Sequence, residues 1–180
     1  MKKVLQFSGL ISLVLVVVAF ILMMATPAIV HTAEGFGSKT ITNLAGVNAI
    51  FGKGSDLSAA ELLLFANSDG KIVLSATSLI GWILLLAGLV IVLCGVILPL
   101  LKINALEKFA GILNLVAVIC FVLGGVFMFL TVPTLFGANG RDVADGSAIG
   151  AGWVIGGILA IVGGAFAILP AVMDFIGKKK

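Results

Sequence analysis

The 180 residues of this chain are 61% hydrophobic and only 11% charged, whereas a soluble domain averages about 25% charged residues. With a mean hydropathy of +1.30, the chain has too few polar residues to cover a water-soluble fold, and one compact membrane domain is expected. The net charge is +3, but the sequence shows neither a basic face nor aromatic residues placed to stack on bases. This argues against nucleic-acid binding.

The chain starts with two lysines and an uncharged run that predicts a first membrane helix over about residues 4–30. A secretory signal peptide cleaved near residues 25–28 is the alternative, but the apolar core of such a peptide is about 7–15 residues long. This run is longer, which favours a retained helix. Ser12 lies three residues after Gly9 and four after Ser8, so this half of the helix offers small residues to a neighbour.

A long outer segment over residues 31–76 follows, and it contains local signals of ordered structure. The alternation in residues 39–42 predicts a strand, and Ser58 followed by Glu61 matches a helix capping box. Residues 67–70 predict a turn, and residues 71–75 a returning strand. We therefore expect a small β-containing element on the outer face. His31, the single histidine, lacks companions for a metal site and is expected to make local hydrogen bonds.

The second and third helices are predicted over about residues 78–101 and 109–133, with a tight inner loop between them. The short loop makes them antiparallel neighbours. Each has small residues seven apart, which keeps them on one stripe and favours close helix contact. These stripes are Gly81, Gly88 and Gly95 in the second helix and Ala110, Ala117 and Gly124 in the third. Asn114 is the strongly polar side chain within the third span, and an interhelical hydrogen bond is expected for it, with substrate binding as the alternative.

A short outer segment over residues 135–147 carries Arg141 and two aspartates, which are expected to be solvated. The fourth helix is predicted over about residues 149–176. Its small residues recur at every fourth position: Gly152, Gly156, Ala160 and Gly164. Such a ridge indicates contact with protein rather than lipid, and both a helix of the same chain and a second copy remain candidates.

The second and fourth helices share a sequence frame. Gly81-Trp82 and Gly152-Trp153 each precede an Ile-Leu-Pro, and seventeen positions separate tryptophan from proline in both. Parallel repeats of this kind occur in membrane transporters. Glycines, interfacial aromatics and end prolines are also common in membrane helices in general, so duplication and convergence both stay open.

The distribution of charge predicts the orientation. The N-terminus, the loop at residues 102–108 and the C-terminal tail carry seven lysines against Glu107 and Asp174, whereas the two outer segments carry four basic and six acidic residues. The positive-inside rule places the lysine-rich segments in the cytoplasm. We therefore expect a multi-pass protein of the plasma (inner) membrane with both termini cytoplasmic.

This layout resembles the claudin-like tetraspan group: inner termini, a long first outer segment with strand signals, a tight inner loop and a short second outer loop. The claudin signature of a Trp, a Gly-Leu-Trp and two cysteines is absent from residues 31–76, so barrier function and its disulfide do not carry over. The chain is also similar to small uncharacterised four-helix bacterial membrane proteins with a lysine-rich start and an outer Ile-Phe-Gly, here Ile50-Phe51-Gly52. Cys94 and Cys120 both fall within predicted spans, where cysteine is usually an apolar filler.

The fold class expected from the sequence is therefore an all-α membrane protein, a four-transmembrane-helix bundle with a small outer β-containing segment. The expected function is that of a non-catalytic structural or accessory protein, self-associating or in contact with another membrane protein through its outer segment. A small transporter or channel subunit is the alternative, although charged residues that mark ion paths are missing from the spans. An enzyme is not expected, because no nucleophile, base or metal set is apparent, and neither is a cofactor.

Overall fold

A computed structural model describes residues 2–35, 38–100 and 110–177, which are mostly helical. We number the elements in chain order. They are α1 (Lys2–Ala25), β1 (Pro27–Gly35), β2 (Ser38–Ala45), α2 (Gly46–Phe51), α3 (Ala59–Leu64), α4 (Ala76–Leu100), α5 (Ala110–Phe129), α6 (Thr131–Ala138), β3 (Ser147–Ile149) and α7 (Ala151–Gly177).

Four of these helices are long and apolar enough to cross a bilayer. The candidate spans among the described residues are Phe7–Ala25, Ala76–Gly95, Gly111–Phe129 and Ala151–Leu169, each at least 19 residues long. At 1.5 Å per residue, about 20 residues cross the hydrocarbon core of roughly 30 Å. The expectation of four long apolar helices accompanied by a small sheet is confirmed.

The four long helices form a ring in which each contacts two neighbours. Helix α7 packs against α1 and α5, and α4 packs against the same two helices. Adjacent helices of the ring run antiparallel, as in an up-down-up-down bundle. Along α1, Ser8 contacts Phe166 and Ser12 contacts Gly163, so residue numbers rise on one helix as they fall on the other. The predicted inner loop at residues 102–108 lies outside the described residues.

At the end of the bundle where α1 ends and α7 begins, the three strands form an antiparallel sheet in the order β2-β1-β3. Strand β1 places Glu34 opposite Lys39 of β2, and His31 opposite Ser147 of β3. We call the three strands together with α2, α3 and α6 the head. The strand expected at residues 71–75 is reduced to a single bridge, between Lys53 and Ile72.

The first helix ends at Ala25, five residues before the expected end, and β1 starts in its place. Pro27 explains the difference. It has no N–H to donate to the carbonyl of Met23, and its ring disfavours helical geometry in the residue before it. The last bond of this turn runs from Thr26 N to Leu22 O at 3.1 Å. The apolar run to residue 30 is therefore shared between a helix and a buried strand.

The third helix is interrupted where one continuous span to residue 133 was expected. Helix α5 ends at Phe129, Leu130 has φ −88° and ψ 0°, and α6 continues to Ala138. Pro133 removes the N–H that would bond to Phe129 O, and the Thr134 hydroxyl donates to Leu130 O at 2.7 Å. The outer segment expected at residues 135–147 thus begins inside a helix.

The head and the bundle share one hydrophobic core. A single cluster of buried side chains extends from Val16 of α1 through Ile29 of β1 to Leu135 of α6. Trp153 of α7 is its largest fully buried member. The Trp153 indole covers Gly46, where β2 ends and α2 begins. Because the cluster is continuous, the head is fixed on the bundle rather than tethered to it.

Replacing Gly46 by alanine tests this junction. A β-carbon at Gly46 would overlap the carbonyl oxygen of Met23 and would lie 2.9 Å from Trp153 Nε1. Overpacking of this kind costs about 1–3 kcal/mol, so we expect Gly46→Ala to lower the thermal unfolding temperature in detergent. Gly54→Ala is the matched control, since nothing lies within 4 Å of its β-carbon. Equal unfolding temperatures for the two variants would contradict the packing described.

Candidate functional site

The small-residue stripes of α4 and α5 lie against each other. A β-carbon added at Gly81 would be 3.2 Å from Gly124 O, and one added at Gly124 would be 3.2 Å from Gly81 O. About two turns further along α4 from Gly81, Gly88 lies under the ring of Phe121. The two glycine backbones thus approach closely at the head end, and a large side chain fills the space further down.

The remaining members of these stripes differ in their surroundings. Ala117 is fully buried, whereas Gly95 is exposed and a β-carbon there would lie 3.8 Å from Asn114 Oδ1. Asn114 itself is half-buried at this edge of the α4–α5 contact. Ala110 is the first residue of α5.

The ridge predicted on α7 is divided between two neighbouring helices. Gly152 lies against Thr26 at the end of α1, and a β-carbon at Gly156 would be 3.3 Å from Ala19 O of α1. Gly164, in contrast, would place a β-carbon 3.4 Å from Val118 O of α5. A spacing of four residues turns by about 40° more than one full turn, and three such steps turn by about 120°. A strict i+4 ridge therefore cannot face one partner along this length.

A close approach of α7 to α5 involves a glycine outside the predicted stripes. A β-carbon at Gly125 would lie 2.7 Å from Gly157 O and 2.9 Å from the Ile161 side chain. The Gly124–Gly125 pair was the available signal, since one glycine of the pair faces α4 and the other faces α7. Ala160 also lies here, with its Cβ 3.3 Å from the Gly125 β-carbon position.

Serine hydroxyls add hydrogen bonds to the α1–α7 contact. Ser8 Oγ donates to Phe166 O at 2.6 Å, and Ser12 Oγ donates to Gly163 O at 2.7 Å. Both serines are buried. Gly163 permits this approach, because a β-carbon there would lie 2.5 Å from the Val16 side chain. The small-residue face predicted on α1 is used to contact α7.

A cluster of hydroxyl groups joins the start of α4 to α6. Ser75, Thr77 and Thr134 lie mutually within hydrogen-bond distance, with oxygen separations of 2.6–3.0 Å. A second pair, Ser78 and Thr131, is buried at 2.9 Å. The Thr134 hydroxyl donates to Leu130 O, so within the cluster it accepts from Ser75 or Thr77 and thereby connects α6 to the start of α4.

Two residues after α6 hold the first outer segment in place, and the sequence reading missed both. The buried Asn139 side chain accepts from Val73 N at 2.7 Å and donates to Val73 O at 3.1 Å. Arg141 is exposed, as expected, and its guanidinium also donates to the carbonyl oxygens of Leu62, Leu63 and Ala66. These groups lie at the end of α3, where a cation also interacts favourably with the helix dipole. The pattern of residue types carries no signal for contacts across some seventy positions.

Helix α3 begins with the predicted capping box. Glu61 N donates to Ser58 Oγ at 3.2 Å, and Ser58 N donates to the Glu61 carboxylate at 2.8 Å. Partial burial raises the pKa of Glu61, but the hydrogen bonds from Ser58 and Lys53 outweigh it, so the pKa lies below its ordinary value of 4.5. The Lys53 ammonium is 3.2 Å from the carboxylate. The carboxylate is thus committed to a structural role.

His31 makes the local hydrogen bond that its position suggested. Its Nδ1 lies 3.0 Å from Ser147 Oγ across the β1–β3 pair, and the ring is buried. Within the described ranges, no three His, Cys, Asp or Glu side chains lie close enough together to hold a metal ion.

The two tryptophans of the repeated frame have different environments. Trp82 is half-buried and contacts the rings of Phe20 and Phe51, with centroids 5.9 and 5.3 Å away. Trp153 is fully buried over Gly46. The similar sequence frames of α4 and α7 therefore serve different contacts.

The part of the head farthest from the bundle is exposed. Ala33–Gly35 of β1 and Ser38–Ile41 of β2 form a hairpin whose residues are exposed on both faces. Leu63 of α3, whose side chain is 74% exposed, and Val143 add apolar surface to the head. These surfaces, rather than the bundle interior, are what the chain presents to other molecules in solution.

No family model matches this chain, and no curated protein matches it. The arrangement of its own residues is therefore the basis for any statement on function.

Replacing Gly156 by leucine tests the packing of α7. A β-carbon at this position would lie 3.0 Å from the Met128 side chain and 3.3 Å from Ala19 O, so a leucine must push α7 away from α1. We expect a loss of about 1–3 kcal/mol in stability, measured as a lower thermal unfolding temperature in detergent together with the crosslinked oligomer pattern.

The control for this variant is Ile158→Leu, an exposed position on the same helix. Ile161 of the same helix is not a suitable control, because its side chain packs against Gly125. A stable monomer with lost oligomers would show that Gly156 faces a second copy instead of α1.

Proposed function

We propose that this chain is a non-catalytic, multi-pass protein of the plasma (inner) membrane that acts as a structural or accessory protein. Its bundle anchors the chain with both termini in the cytoplasm, and its head makes protein contacts on the opposite side. The single observation that carries the proposal is the head itself, which shares one core with the bundle yet leaves a hairpin and apolar side chains exposed.

The surface of the bundle supports membrane insertion. Large apolar side chains such as Val14, Ile83, Ile119 and Ile158 are exposed around all four long helices. Soluble monomers rarely expose contiguous apolar patches larger than a few hundred Å². A bilayer is the solvent that removes this cost, and the lysine-rich segments then favour the cytoplasmic side for the ends distant from the head.

The interior of the bundle favours a structural role over transport. Its buried hydroxyl groups are occupied by protein partners: Ser8 and Ser12 bond to carbonyls of α7, and Ser78 pairs with Thr131. Ion and proton paths are usually marked by charged side chains in the spans, and the four apolar windows contain none. The Asn114 amide by itself would offer few polar groups to an ion or solute crossing the bundle.

Cysteine labelling tests the orientation. Single cysteines at Ser38, Ala138 and Gly177 are treated with an impermeant thiol reagent in intact cells, and the unmodified chain serves as the control for Cys94 and Cys120. We expect labelling at positions 38 and 138, which are exposed on the head. Position 177, at the end of α7, should react only after lysis. Labelling of position 177 in intact cells would refute the orientation.

Extraction in a mild detergent tests the role. We expect a stoichiometric protein partner, either a second copy or another membrane protein, to purify with the chain and to be lost when the head is blocked by proteolysis or by antibody. A chain that purifies as a monomer and carries solute flux in liposomes would instead support the transporter alternative.

A further inference from the structure

Helix α2 has a buried face and an exposed face, and large apolar side chains lie on both. It packs against α1 and α4, and Gly46, Ala49 and Ile50 are buried there. Val47 and Phe51 lie four positions apart and therefore share another face of the helix. They are 40% and 47% exposed, so the described residues of the chain leave both side chains partly uncovered.

The ring of Phe51 lies against the flank of the bundle. It meets the Trp82 indole edge-on with ring centroids 5.3 Å apart, and the Trp82 ring lies 5.9 Å from the ring of Phe20 in α1. Trp82 follows Ala76, the first residue of α4, by six positions, which is about 9 Å along the helix axis. Because Trp82 and Phe20 both belong to candidate membrane spans, Phe51 reaches the apolar part of the bundle from the head.

The exposed face of α2 continues into the exposed apolar surface of the bundle. Ile80 and Ile83, on either side of Trp82 in the sequence of α4, are 44% and 49% exposed. Ile21, which follows Phe20 in α1, is 55% exposed. In the proposed function these side chains face lipid. The exposed side chains of α2 extend that lipid-facing surface at its head end.

The sequence around α2 carries no charge that would oppose contact with lipid. No charged residue occurs between Lys39 and Lys53. The Lys53 ammonium lies 3.2 Å from the Glu61 carboxylate, so it is paired with α3. The amide of Asn48 is half-buried, and the hydrated headgroup region of a bilayer satisfies a polar group of this kind.

We propose that α2 is an interfacial helix that inserts Val47 and Phe51 into the leaflet on the head side, so that the head itself binds the lipid surface. This inference rests on the proposed function, because it requires the bundle to be inserted in a bilayer. Interfacial helices bury their apolar face about 5–10 Å into the boundary between headgroups and acyl chains. The contact between Phe51 and Trp82 holds α2 at a comparable level of the bundle.

The size of this face favours lipid over a protein partner. Two exposed apolar side chains on a helix of six residues provide much less than the roughly 800 Å² that each partner buries in a stable protein interface. Lipid that covers the adjoining surfaces of α1 and α4 covers α2 as well, without a separate binding event. The exposed hairpin of β1 and β2 stays available for the protein contacts of the proposed function.

Spin labelling in liposomes of phosphatidylcholine and phosphatidylglycerol tests the lipid contact. Cys94 and Cys120 are replaced by alanine, and a nitroxide is attached in turn at Val47→Cys, Ser38→Cys and Ile83→Cys. Its collision rates are measured with O₂, which concentrates in hydrocarbon, and with a neutral nickel chelate, which stays in water. We expect the ratio of O₂ to nickel collisions to be at least about tenfold higher at position 47 than at position 38, because polar solutes are excluded from hydrocarbon. Position 38 lies on the exposed hairpin.

The two collision rates distinguish lipid, water and protein around position 47. A ratio equal to that at position 38 would mean that water covers α2, and low rates with both reagents would mean that protein covers it. Either result would overturn the proposal. A high ratio at position 83 would in that case leave membrane insertion of the bundle standing, whereas a low ratio there would refute the insertion itself.

Two unlabelled variants give a check that does not depend on the probe. Val47→Asp places a carboxylate in the proposed lipid contact and should lower the thermal unfolding temperature in the same liposomes. Val47→Leu keeps an apolar side chain and should unfold with the parent chain. Equal unfolding temperatures for the two variants would contradict the lipid contact, because an exposed position in water tolerates either side chain.

Discussion

Helix α7 approaches two other backbones at once, and the rest of the structure depends on this double contact. Gly156 and Gly163 bring it against α1, and Gly157 and Gly164 bring it against α5. Between helices as apolar as these, a bilayer supplies little hydrophobic driving force, so close packing and hydrogen bonds across the contact must hold them together. The Ser8 and Ser12 hydroxyls, which donate to carbonyls of α7, are of this kind.

The same helix positions the head. Its first turn carries Trp153, which covers Gly46, and the preceding Gly150 donates its N–H to Ala28 O at 2.9 Å. Strand β3 leads directly into α7, so the position of α7 determines where β3 can pair with β1. A shift of α7 relative to α1 would move β3, open the space over Gly46 and expose the core that joins head and bundle. The structure of the head therefore depends on the packing of the bundle.

Polar groups in this molecule are used mainly to hold the chain together. The amide of Asn139 and the guanidinium of Arg141 bind backbone groups of the first outer segment, and the carboxylate of Glu61 caps α3. In the described residues, no strand pairs with the outer edge of β2, apolar surface is exposed on the head, and the indole N–H groups of Trp82 and Trp153 are buried without a partner. Strand edges and exposed apolar side chains are satisfied by strand pairing and burial, which supports the proposed role in protein contacts.

The sequence by itself determined the properties that depend on neighbours in the chain. Uncharged runs gave the four long helices, the spacing of Ser58 and Glu61 gave the start of α3, and the alternation from Lys39 gave β2. These signals are local, since a period or a cap is written within a few residues. Only the tertiary structure decided which faces meet: it divided the α7 ridge between α1 and α5, and it brought the Arg141 guanidinium to carbonyl oxygens at the end of α3. Residue type and spacing do not encode such contacts, because each depends on where a distant segment of the chain lies.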